Sequence, residues 1–197
     1  MIPAGHPLRE LVVADSRDRP AWLAAREGRF GGSYAAGFAK LTSAPLYLKA
    51  KLGEPFGGNP YTRHGNEREA RMLAAYHLDQ NTLMFRHPDR PEHVSTPDAV
   101  LVTAAGETII AEAKTTNKPF TSAPPRYWRQ MVWNMYVTGA TRCLFIWETH
   151  EGFRALDLEP ESLWVLHDLD EAARLVAIAD RVQEGMASAR RFREDLS

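Results

Sequence analysis

Three residues near the middle of the chain, Asp98, Glu112 and Lys114, have the types and spacing for metal-assisted phosphate chemistry. They lie in two strand-like segments, DAVLVT and ETIIAEAK, joined by TAAGE, whose composition suits a turn. A hairpin loop centred on Ala105, of a common three-residue length, sets Asp98 directly opposite Glu112. Side chains alternate along a strand, so Glu112 and Lys114 share a face. Ala111 and Ala113 point the other way, where small residues let a helix approach. Facing carboxylates repel. A divalent cation is the natural compensation, and Mg²⁺ takes one or two carboxylates with waters and a substrate phosphate. Such an ion lowers the pKa of a bound water and neutralises phosphate charge. Lys114 beside it can orient that water or stabilise a pentavalent phosphorane. The bland alternative is an exposed hairpin carrying surface charges. The apolar neighbours Val100, Val102, Ile109 and Ile110 argue for a core hairpin instead.

Several elements must position these groups. On a helix expected from Tyr61 to His77, Glu69 rides the core-facing stripe with Met72, Leu73 and Tyr76. It is either a metal ligand, a group that holds a metal-bound water, or a stripe-edge acid that reaches water. The helix PPRYWRQMVWNMYVTG opens at Pro124-Pro125 and closes at Gly139. It carries a polar line of Tyr127, Gln130 and Asn134, although Gln130 alone also suits a solvent-facing position. Upstream, a helix runs from Asp18 through Arg26 and the Gly31-Gly32 pair stops it. Ser33 then caps a second helix, SYAAGFAKL. A third helix runs from Pro45 to Leu52, ended by Gly53, and a glycine-rich loop follows. TLMFR and RCLFIWE read as strands, with GFRALDL as the hairpin partner of RCLFIWE. From about Glu159 the tail reads as one long or two shorter helices. The order implies an α/β (α+β) fold with a central sheet flanked by helices. We expect a single domain over 1–197, with N-terminal helices 20–78, a core 80–158 and C-terminal helices 159–197.

The composition is ordinary for a globular protein: 44% hydrophobic and 25% charged. No apolar run approaches the ~18 residues that span a bilayer. The N-terminal MIPAGHPLRELVVADSRDRP does not read as a secretory signal. Cys143 is the only cysteine, which excludes an intramolecular disulfide and a multi-cysteine zinc or iron–sulfur site. A reducing cytoplasm fits. The seven histidines show no metal-ligand spacing, and His64 reads as DNA-facing or structural. The net charge of -1 hides an asymmetry. Residues 26–68 hold seven Lys/Arg against three Glu, whereas residues 157–184 hold eight acids against two arginines. A polyanion would prefer the first segment.

These motifs together resemble the lambda exonuclease / YqaJ-type viral recombinase family of PD-(D/E)xK nucleases. TPDAVLV followed by IIAEAK resembles the nuclease signature, with Asp98 after Pro97 and then Glu112-Ala113-Lys114. GNERE, containing Glu69, is similar to the family's glycine-plus-glutamate helix motif. YWRQMVWNMYVTGA is similar to its Y-x-x-Q helix, and Trp22, Arg26 and the GGS ending at Ser33 to its opening motif. Ala113 stands where relatives often carry a larger aliphatic residue. The resemblance implies a restriction-endonuclease-like core with a mixed sheet. It implies Mg²⁺, with Mn²⁺ substituting, held by Asp98, Glu112, the backbone carbonyl of Ala113 and, as an accessory acid, Glu69. Lys114 is then the catalytic lysine. Arg26, Ser33 and Gln130, beside Tyr127, would line a pocket for a terminal 5′-phosphate. A helix N-terminus at Ser33 and the fork of Arg26 both suit phosphate, although Arg26 could instead stack on Trp22. The implied activity is 5′-to-3′ exonuclease action on double-stranded DNA ends in phage-type recombination. The implied partners are a single-strand annealing protein and two further copies in a trimeric ring, in a phage-infected or bacterial cytoplasm. Trp133, Trp147 and Trp164 are candidates for the ring interface, each equally a candidate for the core. An endonuclease for restriction or DNA repair is the alternative, and a non-catalytic DNA-binding protein is the third reading.

Overall fold

A computed structural model describes residues 2–53, 60–157 and 159–194. The glycine-rich loop expected after Gly53 lies outside the described residues. Fourteen labelled elements organise the described chain. Strand β1 (Val12–Asp15) and helix α1 (Arg19–Arg26) come first. Asp18 caps α1 by accepting from the Ala21 N–H, as its sequence suggests. The helix ends before the glycine pair, at Glu27 and the left-handed Gly28.

The second helix departs from expectation. α2 is a single turn, Gly32–Ala35, whose N-cap is Gly31 and not Ser33. The chain leaves it at once to bury Phe38 among Phe30, Tyr34, Tyr47 and Trp133. That aromatic cluster outweighs the modest gain from extending the helix. Helices α3 (Ala44–Leu52) and α4 (Pro60–Ala74) follow. α4 stops three residues short of the expected end, and the chain turns at His77, whose φ is 56°.

Strands β2 (Leu83–Arg86) and β3 (Val94–Ser95) join β1 in a small antiparallel sheet. β1 and β3 had no clear sequence signal. The main sheet contains β4 (Ala99–Val102), β5 (Thr108–Thr116), β6 (Arg142–Glu151), β7 (Arg154–Ala155) and β8 (Glu161–Leu166). β4 and β5 form the expected hairpin, with Ala99 opposite Ala111 and Val102 opposite Thr108. Continuing that register puts Asp98 across from Glu112. Gly106, at φ 82°, closes the tight loop. β5 and β6 run parallel, with Glu112 beside Phe145 and Lys114 beside Trp147. A parallel pair needs a long crossover, supplied by α5 (Pro125–Thr138), which ends at the left-handed Gly139.

The partner of β6 is corrected. Among the described residues of GFRALDL, Arg154–Ala155 form a strand that pairs with the far end of β6. The main partner is β8, antiparallel over Arg142–Trp147, in a stretch expected to be helical. ESLWVL alternates: Val165 is buried while Trp164 and Leu166 are exposed. Helix α6 (Leu169–Glu194) therefore starts ten residues later than expected, where Asp168 accepts from the Glu171 N–H.

Helices cover both faces of the main sheet. α4 lays Met72 and Leu73 over Ala99, Ala111 and Ala113. α5 and α6 close the opposite face around Trp133, Phe145, Trp147 and Ile178. Trp133 and Trp147 are thus core residues and not surface ones, whereas Trp164 is half exposed.

His93 is wholly buried against Trp133, Tyr136 and Phe30. Its Nδ1 meets the Tyr136 hydroxyl at 3.1 Å, and its Nε2 has no partner. Burial pushes its pKa down from 6.5 to about 4. A histidine depressed in the folded state contributes stability above its unfolded pKa and loses it as pH falls. We expect the folded protein to lose up to about 3 kcal/mol through this group between pH 6.5 and 4. Denaturant titrations of the wild type and His93→Leu across that window should show a shallower acid slope in the variant.

Candidate active site

The site grows from β5. Glu112 is only 1% exposed, yet both oxygens of its carboxylate are hydrogen-bonded. One oxygen accepts from Lys114 Nζ and from Gln130 Nε2 in short contacts. The other accepts from Asn134 Nδ2 at 3.1 Å. Gln130 and Asn134 lie one turn apart on α5, so the polar line of that helix faces the carboxylate and not water. Asn134 is held in turn by Ser95, whose hydroxyl donates to Asn134 Oδ1 at 2.9 Å. Asp98, at the mouth of the hairpin, accepts from the Ala113 N–H at 2.7 Å through Oδ2. The same oxygen lies 3.9 Å from Lys114 Nζ.

Lys114 Nζ also donates to the Ala113 carbonyl at 3.1 Å. One cationic atom therefore touches the Glu112 carboxylate and the Ala113 carbonyl and neighbours the Asp98 carboxylate. These are the three groups expected to hold a metal. Glu69 adds a further acid, accepting from Gln80 Nε2 at 2.9 Å and lying within reach of the Asp98 charge. Tyr127 sets its ring 5.7 Å from the lysine nitrogen.

The electrostatics test whether a cation fits. Burial pushes the Asp98 carboxyl up, against the pull of Lys114 and the Ala113 N–H. Burial and the charge of Asp98 push Glu112 up to about 8 and Glu69 up to about 7. Burial would lower Lys114, but Glu112 and Asp98 outweigh it and hold the ammonium above its ordinary value. Three carboxylates thus face a single ammonium, so ionising them all calls for more positive charge. Among the described residues no cluster of three or more His, Cys, Asp or Glu side chains is arranged to hold a metal. The donor set is two carboxylates and a carbonyl, all oxygen. It suits Mg²⁺, which keeps several waters, better than zinc.

A second cluster lies behind Asn134. Arg26 stacks on Trp22 at 4.4 Å and also reaches Ser33 Oγ at 3.4 Å, so both readings of that arginine hold together. Arg19 covers the same indole at 4.6 Å. Lys51, which the sequence did not single out, lies over the Tyr34 ring at 5.1 Å and donates to the Arg29 carbonyl. Burial and the charge of Arg26 push it down to about 8. Among the described residues no carboxylate pairs with Arg26 or Lys51, an arrangement that favours an anion. Gln130 does not join this cluster; it binds Glu112. Ser33 contributes its hydroxyl, since the one-turn α2 has little dipole to offer. The two clusters meet at Gly32, where a Cβ would come within 2.2 Å of Asn134 Oδ1. Ser95, Lys51 and the role of Asn134 were missed. Only Asn134 had a signal, its place four residues after Gln130.

The family described as the YqaJ-like viral recombinase domain matches residues 21–141, more than half of the chain. The chain belongs to this family. No curated protein matches it by sequence. Among solved structures, it is similar to an alkaline exonuclease from Laribacter hongkongensis, at 19% identity and a TM-score of 0.67, covering 90% of this chain and 100% of that one. The complex of that exonuclease with dAMP matches at 20% identity and a TM-score of 0.68, with the same coverage. A phage-related exonuclease from Haemophilus somnus matches at 16% identity and a TM-score of 0.54, over 76% of this chain and 83% of that one. At such identities the likeness is one of fold: the α+β fold of PD-(D/E)xK-type nucleases, with a mixed sheet flanked by helices. The family match spans all four motifs that carried the resemblance.

The contact between Gly32 and Asn134 can be tested. Gly32→Ala forces Asn134 off Ser95 and Glu112 and should cost about 1–3 kcal/mol in denaturant titration. In an Asn134→Ala background the same substitution should cost clearly less. Equal costs in the two backgrounds would show that the two sites are not coupled there.

Proposed function

We propose that this chain is a Mg²⁺-dependent DNA exonuclease that degrades double-stranded ends from 5′ to 3′ for phage-type recombination. The observation that carries the reading is the convergence of Asp98, Glu112 and the Ala113 carbonyl on one point beside Lys114. Family membership and exonuclease neighbours of the same fold support it.

In this reading Asp98, Glu112 and the Ala113 carbonyl hold the ion, with Glu69 as an accessory acid. When bound, Mg²⁺ (or Mn²⁺) lowers the pKa of its water and neutralises charge on the scissile phosphate. Lys114 stabilises negative charge on the reacting phosphate oxygens and orients the water. Gln130 and Asn134 keep Glu112 in place, and Tyr127 packs beside Lys114. Arg26, Ser33 and Lys51 bind the terminal 5′-phosphate, which sets the first phosphodiester bond against the carboxylates. A pocket that recognises a strand end favours an exonuclease over an endonuclease.

We also propose a trimeric ring around DNA, working in a bacterial or phage-infected cytoplasm with a single-strand annealing protein as partner. A chain of net charge -1 gains by pooling three copies of its basic 26–68 segment around one channel. Trp164 and Leu166 on the edge strand β8, with Leu169 beyond it, supply exposed apolar surface for a subunit contact. No described helix is long and apolar enough to cross a membrane.

Asp98→Ala, Glu112→Ala and Lys114→Ala should each lower cleavage of linear duplex by at least about a hundredfold. Excess EDTA should abolish it, and Ca²⁺ should bind without turnover. Near-normal rates in EDTA would sink the metal reading.

Removing the 5′-phosphate should slow the wild type and leave Arg26→Ala little changed. Efficient cutting of covalently closed circles would point to an endonuclease. Light scattering coupled to size exclusion should report three copies, and a monomer that degrades long duplex processively would refute the ring.

A further inference from the structure

We infer that the cavity beyond the end of β5 receives a nucleobase of the strand being cleaved, and that Phe153 is the platform on which it stacks. The inference rests on the reading of the chain as a DNA exonuclease and adds a positioning residue that its motifs do not include.

The cavity holds about 650 Å³, well within the range of small-ligand sites. Its position ties it to the carboxylates. β5 runs directly from Glu112 and Lys114 into its wall at Thr115 and Thr116. Tyr127 lines it and also sits beside Lys114 Nζ. A strand whose phosphate lies at Lys114 would bring a neighbouring base to this opening.

The chemistry of the lining selects a base over a phosphate. Rings of Tyr127, His64 and Phe153 supply stacking surface, and Thr115, Thr116 and Asn117 supply hydrogen-bonding groups. Among the described lining residues there is no Lys or Arg, and Glu151 would repel an anion. Stacking on aromatic side chains is the usual sequence-tolerant way to hold single-stranded bases.

Phe153 carries a conformational signature. It follows Gly152 in the two-residue turn joining β6 to β7, with φ of 52° at the glycine and 66° at the phenylalanine. Such turns favour Asn or Gly, and a bulky residue at positive φ is strained. Core burial does not compensate, because Phe153 is 46% exposed. Strain of this kind concentrates where function requires it.

A buried network holds the ring in place. Arg68 donates twice to Glu148, at 2.9 and 3.0 Å, although Glu148 is only 4% exposed. Glu148 meets His150 Nε2 at 3.0 Å, and His150 Nδ1 meets His64 Nε2 at 2.9 Å. His64 in turn makes an edge contact with Phe153, 5.1 Å between centroids. The exonuclease reading leaves this network unused, yet it ends on a strained aromatic at the cavity.

The test combines mapping with kinetics. A 5′-phosphorylated duplex with 5-iododeoxyuridine at its first or second position is bound in Ca²⁺ and irradiated. The cross-link should map to Phe153 and be lost in Phe153→Ala. In Mg²⁺, Phe153→Ala should raise KM about tenfold with kcat changed less than about threefold, and Phe153→Trp should stay near wild type. Phe153→Gly should raise KM as alanine does while its Tm is unchanged or higher, because glycine relieves the strain. That split separates a positioning role from a structural one. If wild type digests DNA but these variants keep its KM, or the cross-link maps away from the cavity, the base site is refuted and the exonuclease reading stands. If Phe153→Gly lowers Tm and activity together, the residue is structural and the inference fails. If wild type digests no DNA, the exonuclease reading fails and the base site falls with it.

Discussion

The burial of one carboxylate organises this molecule. Glu112 is almost completely removed from water with Asp98 across the hairpin from it, and an uncompensated charge in such a place costs several kcal/mol. The fold answers by matching its oxygens with Lys114, Gln130 and Asn134. Each match constrains something further away. Gln130 and Asn134 reach one carboxylate because they are four residues apart on a helix that crosses β5 on that side. Asn134 holds its orientation because Ser95 bonds its other end. Gly32 lacks a side chain because Asn134 occupies the space one would need. A satisfied polar network of this kind locks geometry, whereas a half-satisfied one would be worse than an apolar core.

The two faces of β5 serve different purposes. Ala111 and Ala113 let α4 come close, which brings Glu69 within electrostatic reach of Asp98 and lets Arg68 pair with Glu148 on β6. α4 therefore serves both the carboxylate site and the aromatic cavity beyond it. The opposite face carries the acids and is closed by α5, the crossover that a parallel β5–β6 pair demands. The helix that completes the topology is thus the helix that holds Glu112.

Much of this was legible in the chain before folding, for local reasons. The Asp98/Glu112 register follows from a short loop and strand alternation. The two faces of β5 follow from EAK alternating with alanine. Helix starts at Asp18 and Pro124-Pro125 follow from capping chemistry, and the end at Gly139 from its left-handed conformation. Failures came where local propensity met a distant competitor. SYAAGFAKL has the composition of a helix, but Phe38 gains more by entering an aromatic core assembled from four segments. ESLWVL resembled the start of the acidic helical tail. It is a strand because β6 offers it an open edge.

The sequence by itself determined which residues could do chemistry and the short-range geometry of the hairpin that bears them, because periodicity and turn chemistry act over a few residues. It also determined the family, since four motifs survive in order along the chain. Only the tertiary structure decided that Asn134 and Ser95 hold Glu112, that Lys51 joins Arg26 with no carboxylate partner among the described residues, and that Glu148 and two histidines order the rim of a cavity. Apart from Glu148–His150, two residues apart on β6, those pairings join residues 22 to 86 positions apart. No local rule specifies them. They arise when burial removes water, because each polar group must then find its partner elsewhere in the chain.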